Sequence, residues 1–485
     1  MKILISSLLL TFSLSTLSQD LDQRIQNVEN GLHKQSIFLN DSKPTFKSLE
    51  EKMKDYKIPG ASVAVINDGE VAWTKVYGIR NKNGDLVTTS TLFQCASIGK
   101  VITSLAVMKL VQEGKLDLDE NVNNKLSKWK LPENELTKQQ PVTLRHLLSH
   151  SAGLTDDYGF LGYGPKDVIP TLLQILDNEA PAKTKKSLEV KTLPGSTERY
   201  SGGGYLIIQL LIEEVTEMSF SKYITQNIFN PLKMNSSNYE FRPDETSNLA
   251  IASGHLSNGR PLKNKSYHIY PEQAAAGPWT TTEDIAKLIL GIQSSINGED
   301  DSIIKKELVA EYLSPQINNK GLGVNLKGID KPEAFWHAGQ NLGFTGLAYG
   351  LTGSRDGAVV LVNSDGGERF IQEFITSVAS EYRWPIMRSY GANKISDELK
   401  EKLVGSYRDE KTNKNLSIVL EDDQLYMKVG EAKKGHQLFS IGTNHYTFKD
   451  AQDYYKLSFK TQEDETTHLV YTESIGKTLV LKKVN

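Results

Sequence analysis

Ser97 and Lys100 stand three residues apart in the string Ser97-Ile98-Gly99-Lys100, where an apolar stretch of helical spacing begins. At that spacing a hydroxyl and an amine share one face of the first helical turn. The turn also aims its free N–H groups and the positive end of the helix dipole at whatever lies over the serine. The chemistry on offer is a serine nucleophile whose proton passes to an amine, provided burial and nearby positive charge lower the amine pKa. An N-capping serine beside a snorkelling lysine is the ordinary alternative. Five SxxK strings occur in the chain, the others starting at Ser127, Ser219, Ser302 and Ser474, so this motif taken alone favours the ordinary reading. Two distant segments shift the balance. Arg199-Tyr200-Ser201-Gly202-Gly203-Gly204-Tyr205 leads into a second apolar helix, and His337-Ala338-Gly339-Gln340 lies in the segment Phe335 to Phe344, which begins a core strand. Tyr200 by itself reads as loop packing and His337 as a strand histidine; together, in the order SxxK, YxG, HxG, the three are specific.

Other signatures are weaker. No GxSxG, HExxH, P-loop or EF-hand string occurs. His146 and His150 have the i, i+4 spacing of a metal pair but no third ligand, and the simpler reading is a helix end with His150 and Ser151 fixing the next turn. Cys95, two residues before Ser97, reads as a small core hydrophobe. Trp279 and Trp336 read as pocket walls, and Trp129 as loop packing.

The elements that must position these residues follow from periodicity. Val63, Val65, Val71 and Trp73 flank Asn67-Asp68-Gly69, a hairpin signal. Val101, Leu105 and Met108, with Ile102 and Val111, predict a helix ended by Gly114. Residues 205–216 predict a second helix, 344–351 and 357–363 a second hairpin, and 370–382 a closing helix. Pro132 to Pro141 and Pro181 to Pro194 read as surface connections. Strands from both ends of this region must meet in one antiparallel sheet flanked by helices, with a mostly helical subdomain between them: an α+β fold. Beyond Ser396, short alternating segments at regular intervals predict a small all-β barrel-like domain.

The 485 residues carry 56 Lys+Arg against 59 Asp+Glu, nine His and one Cys. That balance leaves no basic face for nucleic acid, no internal disulfide and no CxxC-type zinc site. Lys2, the apolar run ILISSLLLTFSLSTL and the polar stretch after Ser18 predict a signal peptide over 1–18 and an exported, periplasmic or secreted protein of bacterial type, with no stable membrane span after cleavage. The expected domains are 19–390 for the sheet-and-helix body and 396–485 for the barrel.

These motifs resemble the serine β-lactamase and penicillin-binding protein superfamily in its class C-like branch, which also holds DD-peptidases, D-aminopeptidases and esterases. The resemblance runs from about Ile58 to Tyr382 through PGASVAVINDGEVAW, FQCASIGK, VTLRHLLSHSAGL, RYSGGGY, AAAGPWTTTEDIAKL and HAGQNLGF. The tail resembles the small lipocalin-like barrel often appended to such hydrolases. What the resemblance implies is a DD-peptidase-like fold with Ser97 as nucleophile, Lys100 as its activator and Tyr200 sharing the proton transfer. A free tyrosine pKa of about 10 means that the Lys100 charge must assist it. His337 would face the substrate, Gly339 would let it lie close along the strand, and the N–H groups of Ser97 and Gln340 would form the oxyanion hole. Two departures stand out: Gly202 replaces the Asn of the family's YxN, and His337 replaces the Lys of KTG. Both weaken the case for β-lactamase action, because they remove a substrate-binding amide and a permanent cation; a protonated imidazole would restore the charge. The implied activity is an acyl-enzyme hydrolase of an ester or amide, of esterase or D-amino-acid peptidase type. A β-lactamase or penicillin-binding protein proper, and a catalytically poor binding homologue, stand as alternatives. No metal or organic cofactor is implied, and the partner is a small-molecule or peptide substrate, including cell-wall material.

Overall fold

The computed structural model describes residues 19–484 except 35–36, 40–43, 156–159, 185, 241, 243–249, 264–265, 301, 329–330, 411–412, 431, 433, 443, 449–455, 462–466 and 475–476. The expected signal peptide lies outside the described residues. Two compact units emerge, one built on residues 54–371, the other on 372–473 and 477–485 together with the stretch up to Met53.

The first unit is organised by a six-stranded antiparallel sheet. Its strands are β1 (Gly60–Asn67), β2 (Glu70–Gly78), β5 (Asn325–Lys327), β6 (Ala334–Asn341), β7 (Phe344–Leu351) and β8 (Gly357–Val362), in the order β2-β1-β8-β7-β6-β5. The β1–β2 turn has Asp68 and Gly69 at φ 52° and 84°. Two successive left-handed residues match the twist of a hairpin, which is why Asp-Gly sits there. Val63 pairs with Val360, so strands almost 300 residues apart in sequence lie side by side. Both are buried along nearly their whole length, as strands covered on both faces must be. A separate two-stranded sheet joins β3 (Phe93–Gln94) to β4 (Trp279–Thr280).

Helix α1 (Gly99–Gln112) is buried almost all round, in keeping with apolar residues on every side of it, and ends before Gly114 at φ 69°. Around it pack α3 (Gly203–Thr216) and the short α4 (Gln273–Ala276), while α5 (Thr282–Asn297) lies against the sheet. The turn α2 (Leu144–Leu148) precedes His150. Within Pro132 to Pro141, expected as plain connection, a five-residue helix Glu135–Gln139 forms on a capping box made by Asn134 and Thr137. The closing helix spans Glu368–Glu381.

The second unit contains a closed eight-stranded barrel, β9 (Gly405–Arg408), β10 (Asn415–Glu421), β11 (Gln424–Val429), β12 (His436–Gly442), β13 (His445–Phe448), β14 (Lys456–Thr461), β15 (Thr467–Ser474) and β16 (Lys477–Lys483). Alternate residues such as Ile418, Met427, Leu438, Phe448 and Leu469 fill its core. The segment LSIVLEDDQLYMKV, which reads as one alternating stretch, divides into β10 and β11 because Asp422 and Asp423 both take left-handed backbone, φ 43° and 61°. In the same unit Lys52 and Glu373, both buried, pair at 2.5 Å. No described helix is long and apolar enough to cross a membrane.

Candidate active site

Ser97 sits in a single 3₁₀ turn, Ala96–Ile98, between β3 and α1. The turn is forced: Ala96 has φ 48°, a left-handed conformation that costs a residue with a Cβ about 1–2 kcal/mol. It is held by main-chain bonds from Ile98 to the Cys95 carbonyl at 3.1 Å and from Cys95 to the Pro278 carbonyl at 3.2 Å. Lys100 follows on the first turn of α1 and is 1% exposed. Its Nζ donates to Ser97 Oγ at 3.1 Å and to the Ala275 carbonyl of α4 at 2.7 Å. The rings of Tyr200 and Tyr205 have their centres 5.1 and 5.2 Å from the same nitrogen. A carbonyl and two aromatic rings therefore surround the amine, and among the described residues no carboxylate pairs with it. Cys95 is fully buried and its thiol is pushed up to about 12, which leaves no thiolate beside Ser97.

Tyr200 reaches the same place through His150. That residue has φ 58°, and its ring stacks on Tyr200 with centres 4.2 Å apart. Its Nδ1 accepts the Ser201 N–H at 3.1 Å, and its carbonyl accepts the Arg199 N–H at 2.8 Å. Burial, followed by the charges of Lys100 and Lys320, holds the His150 imidazole well below its usual range, so the ring is neutral. His150 thus fixes the 199–201 segment, and His146 engages its own helix start, where its Nδ1 accepts the Thr143 N–H at 3.3 Å. Ser201 Oγ accepts the Gly204 N–H at 2.8 Å at the start of α3. Gly202 stands beside a filled space: a Cβ there would meet Phe160 Cζ at 2.8 Å and Cε2 at 2.9 Å. An aromatic ring occupies the volume that a side chain at 202 would enter.

Strand β6 closes the other side. His337 Nδ1–H donates to the Ala338 carbonyl at 2.6 Å, which leaves Nε2 as an acceptor. Burial and the Lys100 charge push this imidazole down to about 3, so it is neutral at physiological pH and does not supply the cation that a protonated ring would. Gly339, expected to make room for substrate, makes room first for the protein's own chain. A Cβ at this position would lie 2.1 Å from the Cys95 carbonyl, so the bare backbone is what lets β6 press against the turn bearing Ser97. Asn341 ties β6 down through Nδ2, which donates to Gln94 Oε1 and to the Ala276 carbonyl, both at 3.1 Å. β5 pairs only with Ala334–Trp336, and Asn325 Nδ2 donates to the Trp336 carbonyl at 3.4 Å on that side. Main-chain groups alternate between edges along a strand, so those of Ala338 and Gln340 point to the same edge, beyond the end of β5.

A cavity of about 840 Å³ opens over this arrangement, and Ser97, Tyr200, His337, Gly339 and Gln340 line it. Lys100 lies buried beneath and Gly202 is represented by its neighbours Phe160 and Gly203. Trp336 is in the wall. Trp279 is not: it is a core residue packed edge-on against Tyr267 and Phe344. Trp129 donates through Nε1 to Asp177 at 2.8 Å. Sequence reasoning missed Phe160, Lys183, Glu272 and Lys320, all of which line the cavity. Lys320 pairs with Glu198 at 3.3 Å and donates to Asn325 Oδ1. None of these belongs to a spaced motif, so only their shared cavity reveals them.

The pattern of the family described as Beta-lactamase matches residues 46–378. The chain belongs to the beta-lactamase family. It is 28% identical over 248 residues to Protein flp of Staphylococcus aureus strain N315, a match covering 51% of this chain and 48% of that protein. It is also 28% identical over 246 residues to the unguisins hydrolase ungD' of Aspergillus campestris, covering 47% and 42% respectively. The matched part thus spans about half the length of these curated relatives. Among solved structures, the octameric penicillin-binding protein homologue from Pyrococcus abyssi superposes with a TM-score of 0.56 at 24% identity, covering 89% of this chain and 98% of that one. The D-amino acid amidase from Ochrobactrum anthropi SV3 complexed with D-phenylalanine gives 0.55 at 21%, covering 75% and 99%. These likenesses establish a shared fold.

Proposed function

We propose that the protein is an exported serine hydrolase that cleaves an ester or amide through an acyl-enzyme on Ser97. In acylation the Ser97 hydroxyl attacks the substrate carbonyl, its proton passes to Lys100 assisted by Tyr200, and the new ester bond forms. The leaving group takes that proton as its bond breaks. Water then attacks the acyl-enzyme as its proton passes to the same pair, and when the ester bond to Ser97 breaks that proton is handed to the Ser97 oxygen. The N–H groups of Ser97 and Gln340 would receive the oxyanion, where two donors account for a large part of such rate gains. His337 Nε2 faces the substrate as a neutral acceptor. The observation that carries the reading is the 3.1 Å contact between a fully buried Lys100 Nζ and Ser97 Oγ at a cavity floor.

Ester or amide cleavage, rather than β-lactamase action, is supported by the neutral His337 and by Phe160 standing where position 202 offers no amide. The test is labelling with a fluorophosphonate. The wild type should carry one adduct on Ser97, the Ser97→Ala variant none, and Lys100→Ala should label slower by about 10²–10⁴-fold. A Lys100→Ala rate within tenfold of wild type would place the base elsewhere, and an unlabelled wild type would mark the chain as a binding homologue.

A further inference from the structure

Helix α4 has four residues, so the carbonyls of Ala274, Ala275 and Ala276 lie at its C-terminal end, with no further turn to receive them. All three residues are buried. Side chains from other elements take those carbonyls in order. Thr103 Oγ1 of α1 donates to the Ala274 oxygen at 2.8 Å, Lys100 Nζ to that of Ala275 at 2.7 Å, and Asn341 Nδ2 of β6 to that of Ala276 at 3.1 Å. From α3, Gln209 Oε1 accepts the Ala274 N–H at 3.1 Å. The Gln209 amide also bonds the Glu213 carboxyl, which fixes which of its ends faces α4.

Thr103 stands one turn after Lys100 and is fully buried. Its Oγ1 also lies 3.1 Å from the Gly99 carbonyl of its own helix, but a hydroxyl has one proton to give, and the nearer acceptor is on α4. Thr103 and Lys100 thus grip adjacent carbonyls of one short helix. The consequence for Lys100 follows from the shape of an amine. A neutral amine carries two protons and one lone pair, so it takes the Ser97 proton only when the lone pair faces Oγ and the N–H bonds are turned away. The Ala275 carbonyl turns one of them away, through a contact shorter than the 3.1 Å to Ser97. Tilting that carbonyl would swing the lone pair off the hydroxyl. A helix of one turn has little cooperative stability of its own with which to resist the tilt.

We propose that Thr103 and Gln209 are positioning residues for the proton transfer between Ser97 and Lys100. They hold Ala274, and through it the adjacent Ala275 carbonyl that orients the Lys100 amine. Neither lines the cavity among the described residues, so both act through the main chain of α4. The proposal rests on Ser97 being the nucleophile and Lys100 its base, and it adds what sets the geometry of that pair.

The test separates the chemical step from binding. The full-length protein is treated with the fluorophosphonate at a series of concentrations, and the Ser97 adduct is followed by mass spectrometry. The readouts are the maximal labelling rate, the half-saturating concentration and the final labelled fraction. Thr103→Val keeps the shape and removes the donor. It should lower the maximal rate by about 10–10²-fold, the cost of a small misalignment of reacting groups, while half-saturation and the final labelled fraction stay as in the wild type. Thr103→Ser restores the hydroxyl and should restore the rate. Gln209→Met removes the acceptor for the Ala274 N–H and should slow the same step; it decides the matter should Thr103→Val not fold. An unchanged maximal rate in Thr103→Val, or a change confined to half-saturation, overturns the proposal. So does a Thr103→Ser protein as slow as Thr103→Val. A loss confined to the labelled fraction, with the remainder reacting at the wild-type rate, overturns it too, because that marks a role in folding alone. An unchanged maximal rate in Gln209→Met overturns the assignment to Gln209. A wild type that gives no adduct overturns the nucleophile reading, and the proposal falls with it.

Discussion

At the scale of single residues, the site is built on conformations and clearances that a side chain of the wrong size would destroy. Gly339 illustrates this. Its missing Cβ faces a carbonyl 2.1 Å away, and that carbonyl belongs to Cys95, two residues before Ser97. The obstacle is backbone, which cannot swing aside as a side-chain tip does. Gly339→Ala is therefore expected to destabilise the fold by about 1–3 kcal/mol and to slow Ser97 labelling by more than tenfold, read by denaturant unfolding and by adduct formation. A variant as stable and as reactive as wild type would show that β6 and the Ser97 turn have room between them. The glycine at 202 differs in kind, because what fills its space is the tip of the Phe160 ring. Ser97, Lys100, Tyr200 and His337 stood out in the sequence because each sits in one of three recognisable strings. Phe160 and Glu272 did not, since nothing in the residues around them marks a side chain that only the folded chain brings to the cavity.

At the scale of elements, the hairpins and long helices follow their sequence patterns closely, and the differences lie at joints. Residues 344–351 and 357–363 read as two strands, and β7 and β8 occupy almost the same spans. The joint between β3 and α1 was invisible because Ala96 adopts a backbone that its residue type disfavours; the surrounding bonds impose it. Asn341 is a second joint. It links β6 to β3 through Gln94 and to α4 through Ala276, and it is buried. Asn341→Ala would strand two buried acceptors at a cost of about 1–3 kcal/mol each. The expected result is a lower melting temperature together with slower Ser97 labelling, because the same strand carries His337 and Gln340. Asn341→Asp cannot donate to either acceptor and should not rescue. Loss of stability with unchanged labelling would show that Asn341 holds the fold without positioning the site.

At the scale of the molecule, buried ionisable groups set a pH dependence of stability. His150 and His337 stay unprotonated in the folded state, His337 down to about 3, whereas an unfolded histidine takes a proton below its usual value near 6.5. The unfolded chain then binds more protons, so stability falls as pH drops below about 6.5. Glu272 acts in the opposite sense. Burial raises its carboxyl to about 8, so the folded state keeps a proton that the unfolded chain releases above its usual 4.5, and stability falls as pH rises through that interval. Melting temperature should therefore peak near pH 6.5. Between pH 6.5 and 8 the Glu272 contribution amounts to about 2 kcal/mol. Glu272→Gln is expected to flatten that alkaline limb in melting curves recorded at fixed ionic strength, and an unchanged slope would remove Glu272 as its cause.

Local pattern alone determined much of this protein: an antiparallel sheet joined across the sequence, helices where apolar residues recur at helical spacing, and an alternating tail that forms a barrel. It also marked Ser97, Lys100, Tyr200 and His337, because motif strings depend on neighbours along the chain. Tertiary structure decided the rest. It brought Lys100 within 3.1 Å of Ser97, turned Gly339 toward the Cys95 carbonyl, filled the space beside Gly202 with Phe160, and buried Glu272 with its Oε2 lacking a hydrogen-bond partner among the described residues. The physical reason is that charge state and clearance are properties of an environment, and the environment of a buried group is made by residues far from it along the chain.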